Sequence, residues 1–245
     1  MSEILQVDHV NYHGRIAYLS KKPDRMDQER GRERFTITVH SDGHRTCTAQ
    51  SEIDDRPSVM RNVALTLDEN WHPLDCFVRI SVGDRFMGSG WFRFGENEAE
   101  CETWTAVEGR VSQKMSLIER PRAFVDHAII CDSWVLSMLD LSKGPGVQKF
   151  PQLLMSSPDH RGATGPMLHS IPTAIEYVGE DRITVGAGEF DALHFRFGVN
   201  VGLANNHPKY DVWCTADGHY IFLRGAVYGY MMTYYELVDL EVEHG

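Results

Sequence analysis

The chain has 245 residues, of which 42% are hydrophobic and 24% are charged, values typical of a globular protein rather than a disordered one. Its 24 Lys and Arg residues against 35 Asp and Glu residues give a net charge of −11. This charge excludes nucleic acid and anionic membrane surfaces as expected partners. The length predicts one β-rich domain over residues 1–245.

The cysteines and the first residues indicate a reducing compartment. The five cysteines are an odd number and include no CxxC pair, which favours free thiols over a disulfide framework. The chain starts without a basic segment followed by an apolar run, and no apolar stretch reaches the length of a membrane span. We therefore expect a cytoplasmic protein without a signal peptide or a transmembrane helix.

Most of the chain alternates between apolar and polar residues with a period of two, which predicts β-strands. In the first half the alternation covers Phe35–Val39, His44–Glu52, Leu74–Val82 and Arg85–Phe94, with a hairpin turn at Asp42-Gly43. In the last third the predicted strands are Thr173–Val178, Arg182–Val185, Phe190–Val199, Tyr210–Thr215, Tyr220–Val227 and Met231–Leu240. Strands of this spacing are typical of a barrel or sandwich.

Residues Pro121–Leu141 break this alternation, because their apolar residues are too dense and the run is too long for a strand. Pro121 suits a first helical turn, and Lys143-Gly144-Pro145 is a stop signal. On a helical projection only a narrow polar stripe remains. We predict a mostly β fold, a strongly curved antiparallel sheet or incomplete β-barrel that encloses this one buried α-helix.

The segment Ser142–Pro172 is rich in glycine and proline but also carries many apolar side chains. Long irregular segments inside a compact domain are uncommon and often functional. We interpret it either as a lid over a cavity or as an arm that contacts a second copy of the chain.

His127 and Asp132 are the sharpest candidates for chemistry. On the predicted helix both fall outside the polar stripe, where a polar group is costly without a partner. They could face a cavity, with His127 as general acid or base. The alternative is a core histidine and aspartate whose hydrogen bonds are satisfied internally.

Several strands mix aromatic and polar residues on one face, as the inner walls of ligand-binding barrels do. Trp91 accompanies Arg93, Trp213 follows Asp211, and His194 alternates with apolar neighbours. Exposed aromatic side chains would give the same pattern. The run Tyr228-Gly-Tyr230 adds hydroxyl groups that could line a pocket or simply pack at the surface.

The sequence contains no HExxH or comparable ligand spacing and no nucleotide-binding or nucleophile-elbow motif. We therefore expect neither a metal nor a cofactor.

The last third also carries a family resemblance. Tyr177–Ala192 reads as two short strands joined by a glycine turn, and Tyr210–Thr215, Ile221–Val227 and Tyr234–Leu237 continue the pattern. It resembles uncharacterised β-rich bacterial proteins grouped as a domain of unknown function, many of them exported and lipocalin- or lipoprotein-like. The resemblance covers about residues 175–240 and implies a β-barrel-like fold. Its motifs mark turns, so no catalytic residue follows from it. Unlike many of those proteins, this chain is expected to lack an export signal.

Together these features predict a cofactor-independent acid–base enzyme, a lyase, isomerase or hydratase, acting on a small apolar or aromatic metabolite in a barrel-like cavity. The expected catalytic residues are His127, Asp132, His72, His194 and Tyr228. The expected substrate-binding residues are Arg79, Trp91, Trp134, Trp213 and Tyr230. The alternatives are a non-catalytic carrier of an apolar ligand and a homodimer that uses Ser142–Pro172 as its arm.

Overall fold

A computed structural model describes residues 8–159, 161–198 and 208–245. Strands dominate it, as the period-two alternation predicts. In the described part of the chain the strands are β1 (His9–Ser20), β2 (Glu29–His40), β3 (Arg45–Ile53), β4 (Val59–Leu67), β5 (Pro73–Val82), β6 (Arg85–Phe94), β7 (Glu98–Thr105), β8 (Gly109–Ser116), β9 (Phe124–Val125), β10 (Gly146–Met155), β11 (His169–Val185), β12 (Gly188–Phe197), β13 (Tyr210–Thr215), β14 (Phe222–Val227) and β15 (Thr233–His244).

All of these strands belong to one sheet, in the order β8-β7-β6-β5-β4-β3-β2-β1-β15-β14-β13-β12-β11-β10-β9. Neighbours in the sheet are neighbours in sequence, except where β1 pairs with β15. Pairing is antiparallel except between β9 and β10. Because the edge strands β8 and β9 do not pair with each other, the sheet is not closed into a barrel. The predicted fold class is confirmed.

The concave face of the sheet carries the core. Alternate residues of each strand, for example Cys76, Val78 and Ile80 of β5, are almost completely buried there. All five cysteines are free and buried, consistent with their use as small apolar side chains. The sheet therefore has a packed inner face and a more polar outer face.

The predicted helix over Pro121–Leu141 is wrong in length. The segment holds β9, a four-residue helix α1 (Ile129–Asp132) and the 3₁₀ turns Trp134–Met138 and Leu141–Lys143. A further 3₁₀ turn, Pro23–Arg25, joins β1 to β2. The placement of the Pro121–Leu141 segment is as expected, since most of its apolar side chains are buried in the core cluster against the sheet. Residues 121–141 thus fill the concave face as an irregular chain; we call them the inner segment.

The inner segment is irregular because the sheet supplies its hydrogen bonds. His127 has a left-handed φ of 68°, which interrupts any continuous helix. The N–H groups of Ile129 and Ile130 donate to the carboxylate of Glu33 on β2 (3.0 and 2.8 Å). A side chain far away in sequence therefore caps α1, and no local signal in the inner segment announces it.

The segment Ser142–Pro172 is also more regular than predicted. It contains β10 and the start of β11, and β11 joins the two predicted strands Thr173–Val178 and Arg182–Val185 into one. Between β10 and β11 the chain packs on the sheet, where a Cβ on Gly88 would lie 2.8 Å from Pro166. Much of the segment is therefore part of the sheet rather than a free lid or arm.

The sequence patterns do not predict β1, β4 and β8, and β9 and β10 lie in segments that are predicted as a helix and as an irregular lid or arm. No helix among residues 8–159, 161–198 and 208–245 is both long enough and apolar enough to cross a membrane.

Candidate functional site

The outer face of β5, β6 and β7 carries three exposed aromatic side chains. Phe77 and Trp91 are each 43% exposed, and Trp104 is 59% exposed. Alternation places them outside, because Cys76 and Val78 on either side of Phe77 point into the core. Phe77 lies directly across from Trp91 in the register, and Trp104 is diagonal to Trp91 on the next strand.

A shallow depression of about 300 Å³ lies among these rings. We call it the outer groove and define it by Phe77, Trp91, Glu102, Trp104 and Arg110. Its polar side is held in place by hydrogen bonds. One oxygen of Glu102 accepts from the Ser112 hydroxyl at 2.7 Å and from the Arg110 guanidinium at 3.5 Å. The groove therefore offers aromatic faces beside both a carboxylate and a guanidinium.

A second group of predicted residues meets on the outer face of β12 and β13; we call it the His194 cluster. His194 Nε2 lies 2.8 Å from Asp211 Oδ1, and its ring stacks on Trp213 with centroids 4.1 Å apart and planes 10° apart. Arg196 Nε donates to the same oxygen of Asp211 at 2.8 Å. Asp211 is only 2% exposed, so the histidine has a buried carboxylate that fixes its ring.

Tyr228 completes the His194 cluster from the turn after β14. Burial, and the nearby Asp211 carboxylate, raise the pKa of its hydroxyl above the usual value. In the portion of the chain that the structure describes, no residue hydrogen-bonds Nδ1 of His194. If Nε2 carries the proton that Asp211 accepts, Nδ1 is left as a base.

A buried polar cluster joins the inner segment to the sheet. Glu33, fully buried, accepts hydrogen bonds from the Tyr18 hydroxyl (2.9 Å) and the Ser51 hydroxyl (2.5 Å). It also accepts the N–H groups of Ile129 and Ile130. Four donors on one carboxylate explain how a glutamate can lie in the core.

Arg61 of β4 is the cationic partner in the buried polar cluster. It is buried, and its guanidinium donates to the carbonyl oxygens of His127 (2.5 Å), Arg161 (2.9 Å) and Gly162 (2.9 Å). These carbonyls belong to two separate parts of the chain packed inside the sheet. Arg61 therefore holds both parts against β4.

The pKa values of two aspartates of the inner segment, Asp126 and Asp132, are strongly raised. Burial, with Glu33 nearby, raises the pKa of Asp126 to about 7. Burial, with Asp126 nearby, raises the pKa of Asp132 to about 8. Asp126 accepts the N–H of Ala128 (2.8 Å) and Asp132 accepts the Tyr210 hydroxyl (2.9 Å). At pH 7 the Asp132 carboxyl is therefore mostly protonated, and that of Asp126 is about half protonated.

The two sharpest sequence candidates, His127 and Asp132, thus lie in the buried polar cluster. Only Asp132 lies on α1, and His127 precedes it. His127 Nδ1 is 3.1 Å from the Ser156 hydroxyl, so its ring also bonds within the core. Their position fits the alternative in which core polar groups find internal partners.

The remaining candidates are scattered. His72 Nδ1 lies 2.8 Å from the carbonyl of Pro121. Trp134 is buried in the core, edge-on to Trp71 at 6.0 Å. Arg79 borders the outer groove, because it pairs across the sheet with Ser89, one of the residues that line the groove. Tyr230 is exposed on the turn between β14 and β15.

Sequence reasoning missed Trp104 and Glu102 of the outer groove and the anchoring residues Glu33 and Arg61. Trp104 had a readable signal, because it alternates with the buried Thr103 and so shares the face of Glu102. Glu33 and Arg61 lie among ordinary charged residues, and their roles depend on contacts across the sheet.

Among the residues with described positions, no group of three or more His, Cys, Asp or Glu side chains is arranged to hold a metal ion.

Comparison with solved structures places the fold among β-barrel-like proteins. A β-barrel-like Brucella abortus protein of domain of unknown function DUF1849 superposes with a TM-score of 0.53 at 10% identity, covering 97% of this chain and 98% of that one. A Bacteroides fragilis protein with a YmcC-like fold gives a TM-score of 0.38 at 7% identity, covering 96% and 95%. A Pseudomonas aeruginosa protein of the DUF1089 family gives 0.36 at 9% identity, covering 85% and 89%.

No protein-family model and no curated protein matches the chain. The superposition on the Brucella abortus protein supports the predicted resemblance to β-rich proteins of unknown function at the level of the fold. The similarity extends well beyond residues 175–240. At 10% identity the likeness shows the fold alone.

Proposed function

We propose that the protein is a non-catalytic binding protein that holds a small ligand in the outer groove. One observation carries the proposal: three large aromatic side chains on adjacent strands are exposed around one depression. Contiguous exposed aromatic surface is unusual on a soluble domain and often marks an interaction site. The ligand would need an apolar or aromatic face to stack on Trp91 and Trp104.

The position of the groove changes the carrier model that the sequence suggested. A lipocalin-like carrier holds its ligand inside the barrel, whereas here the inner segment packs against the concave face. We therefore assign binding to the outer face. The protein would resemble a lipocalin in carrying a ligand, but not in the place where the ligand binds. Cytoplasmic location and the absence of a cofactor stay predictions.

A binding screen tests this proposal. The protein is incubated with aromatic, phenolic and steroid-like compounds, and each bound compound is recovered and weighed by mass spectrometry. Trp91→Ala is expected to weaken binding ~10-fold, because truncating a central aromatic contact costs more than ~1 kcal/mol. The matched control is Met60→Ala, which removes an equally exposed apolar side chain elsewhere on the sheet. Binding that Trp91→Ala and Trp104→Ala leave unchanged would refute the assignment.

A second candidate function, acid–base catalysis, is favoured by the 2.8 Å contact between His194 and the buried Asp211. A carboxylate that orients an imidazole is the usual support of a general base. If the protein is an acid–base enzyme, a compound recovered from the wild-type protein has an altered mass or retention, and His194→Gln lowers the turnover by ~100-fold or more. His244→Gln, at an exposed histidine, is the control. Compounds returned unchanged by every variant would exclude catalysis.

A further inference from the structure

We infer that the ligand of the outer groove is a neutral oligosaccharide, which stacks the C–H faces of its sugar rings on Trp91 and Trp104. This inference rests on the proposed binding function and specifies the chemical class of the ligand. Four features of the groove support it: its shallow shape, its polar side, its balance of charge and the spacing of its aromatic residues.

The shape of the groove disfavours a wholly apolar ligand. Sites for such ligands usually enclose most of the ligand surface, whereas the outer groove is a shallow depression whose aromatic rings remain 43–59% exposed. An apolar compound lying here would keep one face in water and gain little. A sugar ring has an apolar C–H face to bury and hydroxyl groups that remain hydrated.

The polar side of the groove matches hydroxyl groups. A hydroxyl both donates and accepts hydrogen bonds, and Glu102 offers an acceptor beside Arg110, which offers donors. Ser112 fixes the Glu102 carboxylate from the neighbouring strand. Both charged groups stand next to Trp104, so a ring stacked there would place its edge hydroxyls within their reach.

The charge of the groove favours a neutral ligand. Its lining contains one carboxylate, Glu102, and one guanidinium, Arg110, which offset each other, while Arg79 lies only at its border. The chain as a whole carries a net charge of −11, so an anionic ligand would be repelled at long range. A cationic ligand would find a single carboxylate that is already paired.

The spacing of the aromatic residues favours several linked sugar units over one. Phe77 and Trp91 are directly opposite on adjacent strands, and Trp91 and Trp104 are diagonal. Such cross-strand positions lie ~5 Å and ~7–8 Å apart. The three rings thus form a row of ~12 Å in total, which suits a short chain of sugars lying across the strands.

Calorimetric titration of the full chain with cellohexaose, maltohexaose and chitohexaose tests the inference, with the phenolic and steroid-like compounds as a parallel series. At least one oligosaccharide should bind, and its affinity should fall ~10-fold in Trp91→Ala and in Trp104→Ala. Glu102→Gln, which keeps the size of the side chain, should weaken binding less. Met60→Ala should leave the affinity within ~2-fold. Circular dichroism checks that each variant is folded, as expected for exposed positions.

The other outcomes separate the inference from the function on which it rests. If aromatic compounds bind in a way that depends on Trp91 and no oligosaccharide does, the sugar inference is overturned and the binding function stands. If no compound of either series binds, both are overturned. If light scattering shows a dimer that Trp104→Ala dissociates, the groove is a contact between copies and both are likewise overturned.

Discussion

At the scale of single residues, the side chain of Glu33 on β2 connects the sheet to the inner segment. Its carboxylate is fully buried and accepts four hydrogen bonds, two from hydroxyl groups and two from the N–H groups of α1. Removing acceptor capacity from such a group leaves buried donors without partners, which costs more than the lost bond itself.

We expect Glu33→Gln to lower the free energy of unfolding by about 2–3 kcal/mol. The amide keeps one accepting oxygen, but its NH₂ replaces the other oxygen and would face a buried donor without accepting from it. Urea denaturation measures the change. The control is Glu243→Gln, at a glutamate whose side chain is 67% exposed, where less than about 0.5 kcal/mol is expected. Equal effects of the two substitutions would show that Glu33 does not anchor the inner segment.

Asp126 and Asp132 make stability depend on pH in the direction opposite to that of a salt-bridged carboxylate. Burial raises their pKa values from 3.8 to about 7 and about 8. Between roughly pH 4 and pH 8 the folded state therefore binds more protons than the unfolded chain, and the free energy of unfolding falls as the pH rises. Their contribution is complete below the unfolded pKa and is lost as the pH rises through this range, with a slope of at most about 1.4 kcal/mol per pH unit for each group.

Asp132→Asn tests this directly, since asparagine keeps an oxygen for the Tyr210 hydroxyl and cannot ionise. The loss of stability between about pH 5 and pH 8 should be smaller in the variant than in the wild type. Urea midpoints at both pH values give the comparison, with Asp239→Asn, an exposed aspartate on β15, as control. A wild-type slope in Asp132→Asn would mean that this carboxyl ionises normally in the fold.

At the scale of elements, the inner segment shows where sequence patterns stop being informative. Its apolar density correctly predicts burial, but the same density suits a helix and an irregular buried chain alike. What decides between them is the set of partners for its backbone groups. Those partners are Glu33 and Arg61, on β2 and β4, and neither carries a local signal for this role.

Arg61→Met should loosen the inner segment without unfolding the sheet. The substitution keeps an unbranched side chain but leaves the carbonyls of His127, Arg161 and Gly162 without their donor. Hydrogen exchange is expected to accelerate ~10-fold or more in residues 126–131 and 161–167, with the central strands unchanged. Arg34→Met, at a side chain that is 60% exposed, is the matched control. Exchange that stays as slow as in the wild type would contradict the role of Arg61.

At the scale of the whole molecule, alternation was sufficient for the fold class because one face of the sheet is buried throughout. Strands with clear alternation, such as β5 and β6, are predicted within a few residues of their bounds. The pairing of β1 with β15 and the failure of β8 to meet β9 have no such signal. They involve elements far apart in sequence, which period-two alternation does not connect.

The candidate site was predictable only in part, for a related reason. Alternation identifies aromatic residues on a mixed face, as it did for Trp91 and Trp213, but not whether that face is concave or convex. The mixed faces predict side chains on the concave side, whereas Trp91 and Trp213 lie on the outer face. Trp91 belongs to the outer groove and Trp213 to the His194 cluster.

The most direct test of ligand binding in the outer groove uses the indole N–H signals of the five tryptophans in a two-dimensional nitrogen-15 spectrum, assigned by substitution. The spectrum is recorded as an oligosaccharide or an aromatic compound is added. We predict that the signals of Trp91 and Trp104 shift together and saturate while that of the buried Trp134 stays in place. A shift confined to Trp213 would move the binding site to the His194 cluster, and no shift at Trp91 or Trp104 with any bound compound would contradict the outer groove as the site.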